Sequence, residues 1–77
     1  MTVEEKREEL VAEVVRLRQE QGLTQKQLEQ LSGVKQPIIA RMETGENIPQ
    51  LSTVIKLLVP LGKTLAVVPL ESEQKNL

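Results

Sequence analysis

The chain has 77 residues, a formal net charge of −1, and no aromatic residue, cysteine or histidine. This length predicts one domain, whose core must consist of Leu, Val, Ile and Met. The composition excludes disulfides and thiol or imidazole metal sites, and it argues against an RNA or single-strand binder, which needs rings on which bases stack. No apolar run reaches the roughly 18 residues of a membrane span, so we expect no membrane segment and a cytoplasmic location.

Charge is distributed unevenly along the chain. Residues 1–13 contain five glutamates against one lysine and one arginine, a net charge of −3, whereas residues 14–42 carry a net charge of +3. The asymmetry indicates an acidic arm and one basic face, or only the mixed surface charge that keeps a small protein in solution.

The first predicted helix covers residues 3–21. Glutamates fill its first turns, where negative charge suits the helix dipole, and Gly22 ends it. We divide this region into an acidic helical arm, residues 1–13, and the start of the main domain, residues 14–62. The apolar stripe of the helix consists of Leu10, Val11, Val14, Val15 and Leu17.

Residues 24–45 are predicted to form two short helices joined by a tight turn. Thr24 is placed to cap the first helix, on which Leu28 and Leu31 share one face. Gly33 tolerates the positive φ that a sharp helix exit requires. The inward face of the second helix is expected to consist of Ile39 and Met42. Two short helices joined by such a turn are typical of a helix-turn-helix unit.

The start of the second helix of this unit is unusual because Pro37 follows Gln36. Proline disfavours helical geometry in the residue before it and is favoured at the first helical position. We therefore expect the helix to cover residues 37–43, with Gln36 as its cap and Lys35 in front. Ile38 and Ala40 should then point outward.

A fourth helix is predicted over residues 51–61, and Pro60 should kink or end it. Its many apolar residues exceed one stripe, which indicates an interface. Residues 64–69 favour a β-strand that has no partner in this chain, so it would pair with a second copy or with another protein's sheet. Residues 71–77 form a polar tail. The residues expected in a homodimer interface are Val54, Leu58, Leu61, Leu65, Val67 and Val68.

The order and spacing of these residues resemble a known family. Gly22-Leu23-Thr24-Gln25 is followed by Leu28, Gly33-Val34, Gln36, Ile39, Arg41 and Met42-Glu43-Thr44-Gly45. This pattern, over about residues 14–61, is similar to that of the Cro/lambda-repressor (XRE-type) helix-turn-helix family, although the family usually has Ser or Thr where Lys35 stands. Residues 57–70 look like part of a HigA-type antitoxin. The resemblance implies an all-α fold, a compact four- to five-helix lambda-repressor-like domain with one short C-terminal β-strand at residues 63–70.

The resemblance also implies roles for individual side chains. Arg18 would pair with Glu43 inside the fold, although a phosphate contact by Arg18 is the alternative. The residues expected to contact DNA phosphates are Thr24, Gln25, Lys26, Lys35 and Asn47; the alternative for Gln25 is a solvated side chain in the first turn. The residues expected to read bases are Gln36, Ile38 and Arg41, because a guanidinium suits guanine and an exposed Ile suits the thymine methyl. Arg41 could instead contact phosphate or form a pair within its helix.

We therefore expect a sequence-specific repressor that binds double-stranded DNA as a homodimer on a palindromic operator. We expect it to be a bacterial or phage-encoded antitoxin of a toxin–antitoxin operon. One alternative is a protein-interaction module that mainly neutralises a ribonuclease toxin, with the acidic arm as the complementary surface. Another is a stand-alone XRE-type regulator without a toxin. No paired catalytic arrangement is present, so we expect no enzymatic activity, no cofactor and no metal.

Overall fold

The chain folds into four α-helices and one turn of 3₁₀-helix within residues 2–70, the part that the structure, a computed structural model, describes. The helices are α1 (Val3–Glu20), α2 (Gln25–Ser32), α3 (Gln36–Thr44) and α4 (Leu51–Leu58), and the 3₁₀ turn η1 covers Val59–Leu61. This arrangement confirms the predicted all-α fold with its helix-turn-helix unit, α2 and α3. The predicted polar tail, residues 71–77, lies outside the described residues.

Helix α1 begins at the predicted residue, Val3, and ends one residue before the predicted boundary, at Glu20. The Thr2 hydroxyl oxygen accepts the Glu5 N–H at 3.1 Å, and the Glu5 carboxylate accepts the Thr2 N–H at 2.8 Å. This capping box satisfies free donors of the first turn. Farther along, Val14 and Leu17 are buried, as the apolar stripe predicts. One continuous helix therefore carries both the acidic arm and one wall of the core.

Helices α2 and α3 bring their inward faces into that core. Leu28, Ile39 and Met42 are at most 1% exposed, as predicted. Gly33 has a φ of 79°, the left-handed conformation that the turn between the helices requires. The prediction that Leu31 shares the buried face is wrong, because its side chain is 57% exposed. Leu31 lies about 60° around the helix from Leu28, in the last turn of a short helix, and no other element covers it.

Helix α3 begins one residue earlier than predicted. Its cap is Lys35, and Gln36 is the first helical residue rather than the cap. The Lys35 carbonyl accepts the N–H of Ile38 at 2.9 Å. Gln36 adopts the helix although Pro37 follows it, because its backbone N–H donates to the Glu29 carboxylate of α2 at 2.8 Å. This contact between helices outweighs the local bias against helical geometry before a proline.

Helix α4 ends at Leu58 and passes into η1, as Pro60 predicts. Both elements pack against α2. Their core side chains, each at most 3% exposed, are Val54, Leu57, Leu58 and Leu61.

The assignment of Val54, Leu58 and Leu61 to a dimer interface is therefore wrong. Side chains that are already buried within one chain have no surface left to bury against a second one. A different stripe of this segment is exposed, with its residues spaced four apart as on one helix face. It consists of Leu51, Ile55 and Val59, which are 66%, 37% and 61% exposed.

Residues 63–70 form neither a helix nor a β-ladder within the described chain. Leu65 is half-buried against the core, while Val67 and Val68 are exposed. A strand needs the edge of another strand for its backbone hydrogen bonds, and residues 2–70 supply no such edge. The strand predicted at residues 64–69 is therefore not formed by this chain alone.

Candidate nucleic-acid interface

The start of α2 is held by a second capping box. The Thr24 hydroxyl oxygen accepts the Gln27 N–H at 3.0 Å, and the Gln27 side chain accepts the Thr24 N–H at 2.8 Å. This confirms Thr24 as the predicted cap. A hydroxyl that accepts one hydrogen bond still has its own hydrogen to donate. Thr24 is exposed, so this hydrogen is accessible to an acceptor such as a phosphate oxygen.

Gln25 and Gln36, the first residues of α2 and α3, are joined by their side chains. The Gln36 Nε2 donates to the Gln25 Oε1 at 2.7 Å. The Gln25 Nε2 in turn donates to the Glu43 Oε1 at 2.9 Å. Both glutamines are half-buried rather than free in solvent. The structure thus places Gln25, which is expected to contact phosphate, in direct contact with Gln36, which is expected to read a base.

Glu29 holds the start of α3, a role that was not predicted. Lys35 makes no side-chain capping bond, and the Glu29 carboxylate of α2 accepts the first N–H of α3 in its place. This hydrogen bond lowers the pKa of Glu29 below its ordinary value of 4.5, and nearby Lys26 adds to the shift. The only sign of this role in the sequence is that Lys35, at the start of α3, cannot cap the helix with its side chain. That sign does not identify Glu29 as the residue that replaces the cap.

Arg18 and Glu43 form the predicted ion pair. The Arg18 Nε and one terminal nitrogen donate to the two Glu43 oxygens at 2.7 and 2.9 Å, a bidentate pair. The other terminal nitrogen donates to the Leu23 carbonyl oxygen at 2.7 Å. The two charged side chains are only 11% and 9% exposed. Arg18 is therefore part of the fold, and its alternative as a phosphate contact is wrong.

The outer face of α3 presents two of the expected base-reading side chains. Ile38 is 41% exposed and Arg41 is also exposed, while the residues that follow each of them, Ile39 and Met42, face the core. Ala40, predicted to point outward, is half-buried. The exposed face thus combines one apolar side chain with one guanidinium that has no ion pair within residues 2–70.

The three other expected phosphate contacts lie in two places. Lys26 and Lys35 are exposed near the starts of α2 and α3, and the Lys26 ammonium lies 3.4 Å from the Glu29 carboxylate. Asn47 is exposed in the loop that follows α3, beyond its opposite end. Lys26 and Lys35 therefore lie beside Gln25 and Gln36 in the chain, and Asn47 lies apart from them.

Part of the basic charge predicted for one face is neutralised within the fold. Arg16 pairs with Glu13 and with Glu20, and Arg18 pairs with Glu43. Of the cations of residues 14–42, Lys35 and Arg41 have no ion pair within residues 2–70, and Lys26 is exposed but lies 3.4 Å from the Glu29 carboxylate. The candidate interface is therefore a small basic surface around α2 and α3.

A separate groove of about 550 Å³ lies between α1 and the loop after α3. Val11, Val15, Ile48 and Pro49 contribute apolar side chains to it, and Asn47 also lines it. Residues 2–70 contain no group of acidic, His or Cys side chains that could hold a metal ion. In the same range no helix has the length and apolar character needed to cross a membrane.

A family model matches the part of the chain that contains the two short helices, the nearly buried ion pair behind them and the exposed outer face of the second helix. The model, described as helix-turn-helix, matches residues 14–68. The chain belongs to the helix-turn-helix family. The predicted resemblance to XRE-type proteins is thereby confirmed, with α2 and α3 as the two helices of the motif.

The chain is also similar to three known proteins. The chain is 62% identical over 61 residues to an HTH-type transcriptional regulator of Haemophilus influenzae, a match that covers 79% of this chain and 62% of that protein. It is 46% identical over 46 residues to a protein of Acyrthosiphon pisum secondary endosymbiont phage 1, covering 58% of this chain and 49% of that protein. The chain thus spans less than two thirds of the length of either relative. A solved structure described as a toxin-antitoxin module from Streptococcus pneumoniae is 53% identical, with a TM-score of 0.72, and covers 91% of this chain and 83% of that one.

Proposed function

We propose that this helix-turn-helix protein is a sequence-specific repressor that binds double-stranded DNA and acts as an antitoxin. The observation that carries the proposal is the exposed face of α3, where Ile38 and Arg41 accompany a hydrogen-bonded Gln36 at the helix start. In helix-turn-helix proteins the second helix lies in the major groove with its N-terminal residues at base edges. These three side chains then read the sequence.

The phosphate contacts would come from the starts of both helices. The Thr24 hydroxyl, the second amide hydrogen of Gln25 and the ammonium groups of Lys26 and Lys35 are all donors that an anion can use. Contacts to phosphate fix the position of the protein on DNA, while contacts to base edges give specificity. Asn47 would contact the backbone from the loop after α3, separately from this group.

Binding to the protein's own promoter tests this division of roles. In fluorescence anisotropy, Arg41→Ala should weaken binding to the preferred site by about 1–3 kcal/mol and relax preference at one base pair. Lys35→Ala should weaken all sequences alike and reduce the slope of log affinity against log salt by about 1. Lys56→Ala, an exposed lysine of α4, is the control and should change neither quantity. An equal loss on all DNA with Arg41→Ala would reassign Arg41 to phosphate, and no preference of the unaltered protein for its promoter would refute the proposal.

We further propose that the regulator binds a palindromic site as a two-fold homodimer. Leu51, Ile55 and Val59 of the exposed stripe are uncovered within residues 2–70, and so are Val67 and Val68. Antiparallel pairing of residues 64–69 with the same residues of a second chain would satisfy the backbone hydrogen bonds of the strand. The same interface would bury the exposed apolar stripe of α4 and η1. A two-fold axis would also set two α3 helices roughly 34 Å apart, one turn of DNA.

Sedimentation at micromolar concentration tests the dimer. Ile55→Asp and Val67→Asp should each give a monomer that retains its helical circular dichroism spectrum, because neither side chain belongs to the core. Ser52→Asp, an exposed residue of α4 outside the stripe, is the control and should leave the dimer intact. A monomeric unaltered protein, or a dimer that tolerates both aspartates, would refute this interface.

The antitoxin part of the proposal is supported by the similar toxin-antitoxin module and by the acidic arm. Glu4 and Glu8 have no ion pair within residues 2–70, so their charge is available to a basic partner. The groove between α1 and Ile48 lies beside this arm and would accept an apolar side chain of the same partner. The partner proposed is a small basic ribonuclease-type toxin.

Calorimetric titration with the product of a small basic ribonuclease-like gene beside this one tests that role. Glu8→Lys and Ile48→Ala, which adds no charge beside Asn47, should each weaken toxin binding while promoter binding is unchanged. Lys56→Ala should leave both unchanged. A protein that represses its promoter without binding such a product would be the stand-alone regulator. A protein that binds the toxin but no DNA would be the pure interaction module.

A further inference from the structure

Four side chains form a connected line from the interior to the start of α3. Arg18 donates two hydrogen bonds to Glu43, Gln25 donates one to Glu43, and Gln36 donates one to Gln25. The line begins at a nearly buried ion pair and ends at the side chain proposed to read a base. The order of donors and acceptors along this line determines the direction in which each amide points.

A carboxylate is different from an amide because it only accepts hydrogen bonds. Glu43, paired with Arg18, therefore obliges Gln25 to turn its NH₂ group toward it. The Gln25 oxygen then faces Gln36 and obliges that side chain to present its own NH₂ group. Reversing either amide would bring two oxygens or two NH₂ groups together. A charged group at one end thus fixes the direction of two neutral amides that could otherwise adopt either orientation.

We propose that Glu43, held by Arg18, is a specificity-determining positioning residue that fixes the amide direction of Gln36 without touching DNA. Gln36 is left with a free oxygen and one free N–H. This pair fits a base edge that offers a donor beside an acceptor, as adenine does in the major groove. The backbone of Gln36 is fixed as well, by the Glu29 carboxylate at 2.8 Å. The inference rests on the proposed function, because it assumes that Gln36 reads a base.

Glu43→Gln is the direct test, since glutamine has nearly the same shape but can offer either an oxygen or an NH₂ group to Gln25. The binding site is first varied to find the base pair whose preference is lost in Gln36→Ala. The unaltered protein should discriminate there by roughly 5- to 150-fold. In Glu43→Gln this discrimination should fall by at least about threefold, while the preference at the base pair that depends on Arg41 stays unchanged.

Two further variants separate positioning from stability. Glu43→Gln leaves the charge of Arg18 without its anion. The double variant Arg18→Met with Glu43→Gln removes this unpaired charge, and it is used if the single variant does not fold. Val54→Ala, a core change away from the line, is the control that destabilises the domain without altering Glu43. Binding is measured at a temperature where every variant is folded. Equal weakening on all sequences by Glu43→Gln, or the same relaxation by Val54→Ala, would overturn the inference.

An NMR measurement tests the amide directions without DNA. The side-chain amide hydrogens of Gln25 and Gln36 should each give one shifted, slowly exchanging pair of signals in the unaltered protein. Glu43→Gln should move both pairs toward the shifts of exposed glutamine amides and speed their exchange with solvent, because rapid side-chain rotation averages the two orientations. Freely rotating amides in the unaltered protein would overturn the inference even if DNA binding is specific. Failure to bind the promoter specifically, with the amides ordered as expected, would instead refute the proposed function alone.

Discussion

The ion pair between Arg18 and Glu43 should dominate the stability of this domain. Arg18→Met removes three hydrogen bonds, two to the Glu43 carboxylate and one to the Leu23 carbonyl. It leaves Glu43, only 9% exposed, with the single hydrogen bond from Gln25. Removing one partner of a buried pair costs about 3–5 kcal/mol, chiefly because the remaining charge is buried without compensation.

That loss is large relative to the free energy of unfolding of the whole domain. At about 0.05–0.15 kcal/mol per residue, a chain of 77 residues has a free energy of unfolding of about 4–12 kcal/mol. Arg18→Met should therefore remove about a quarter or more of the stability. Urea unfolding at pH 7, followed by circular dichroism, measures this as a fall in the midpoint concentration.

The neighbouring Arg16 supplies a matched control. It also binds two glutamates, Glu13 and Glu20, but its side chain is 53% exposed. Solvent and salt screen such surface pairs, so Arg16→Met should change stability only slightly. A double variant, Arg18→Met with Glu43→Leu, should be more stable than Arg18→Met alone, because no unpaired charge remains. Equal losses for Arg16→Met and Arg18→Met would refute the reasoning.

Three further changes test other parts of the fold. Thr24→Ala removes the hydroxyl of the α2 capping box and should cost about 0.5–2 kcal/mol by urea unfolding. Leu57→Ala creates a cavity at a fully buried position and should cost about 2–5 kcal/mol in the same assay, whereas Leu51→Ala, 66% exposed, should cost the monomer little. Because the pKa of Glu29 is lowered in the folded state, its ionised form stabilises the fold above pH 4.5, and this contribution is lost as the pH falls through the lowered pKa. Glu29→Ala should thus be less stable than the unaltered protein at pH 7, and the difference should shrink as the pH falls below 4.5, while Gln30→Ala, exposed on the same helix, should show no such convergence in urea unfolding over the same pH series.

Features that depend on neighbours in the chain followed from the sequence. Thr24 caps α2 through the N–H three residues later, and Gly33 accommodates a positive φ within its own turn. Ile39 and Met42 face inward because three residues bring side chains to nearly the same side of a helix. Such relations need only local geometry. The Arg18–Glu43 pair was different: 25 residues separate its members, and only the resemblance to a family predicted it.

Which apolar residues meet each other was decided by the packing of helices. Leu31 and Leu28 have the same character, yet only Leu28 is covered. On α4 the sequence showed two apolar faces but not which one the rest of the chain would bury. The packing of α4 and η1 against α2 made that choice and left Leu51 and Ile55 exposed. Hydrophobic burial has no direction of its own, so identical side chains are distinguished only by where the other helices lie.

The sequence by itself determined the helices, the cap of α2 and the family, because these depend on residue order over a few turns. Only the tertiary structure decided that Glu29 replaces the missing cap of α3, and that Gln36 therefore begins this helix despite the proline after it. It also decided that Glu43 faces Gln25 as well as Arg18. Each of these hydrogen bonds joins side chains from different helices, and its strength depends on distances that exist only once those helices have packed.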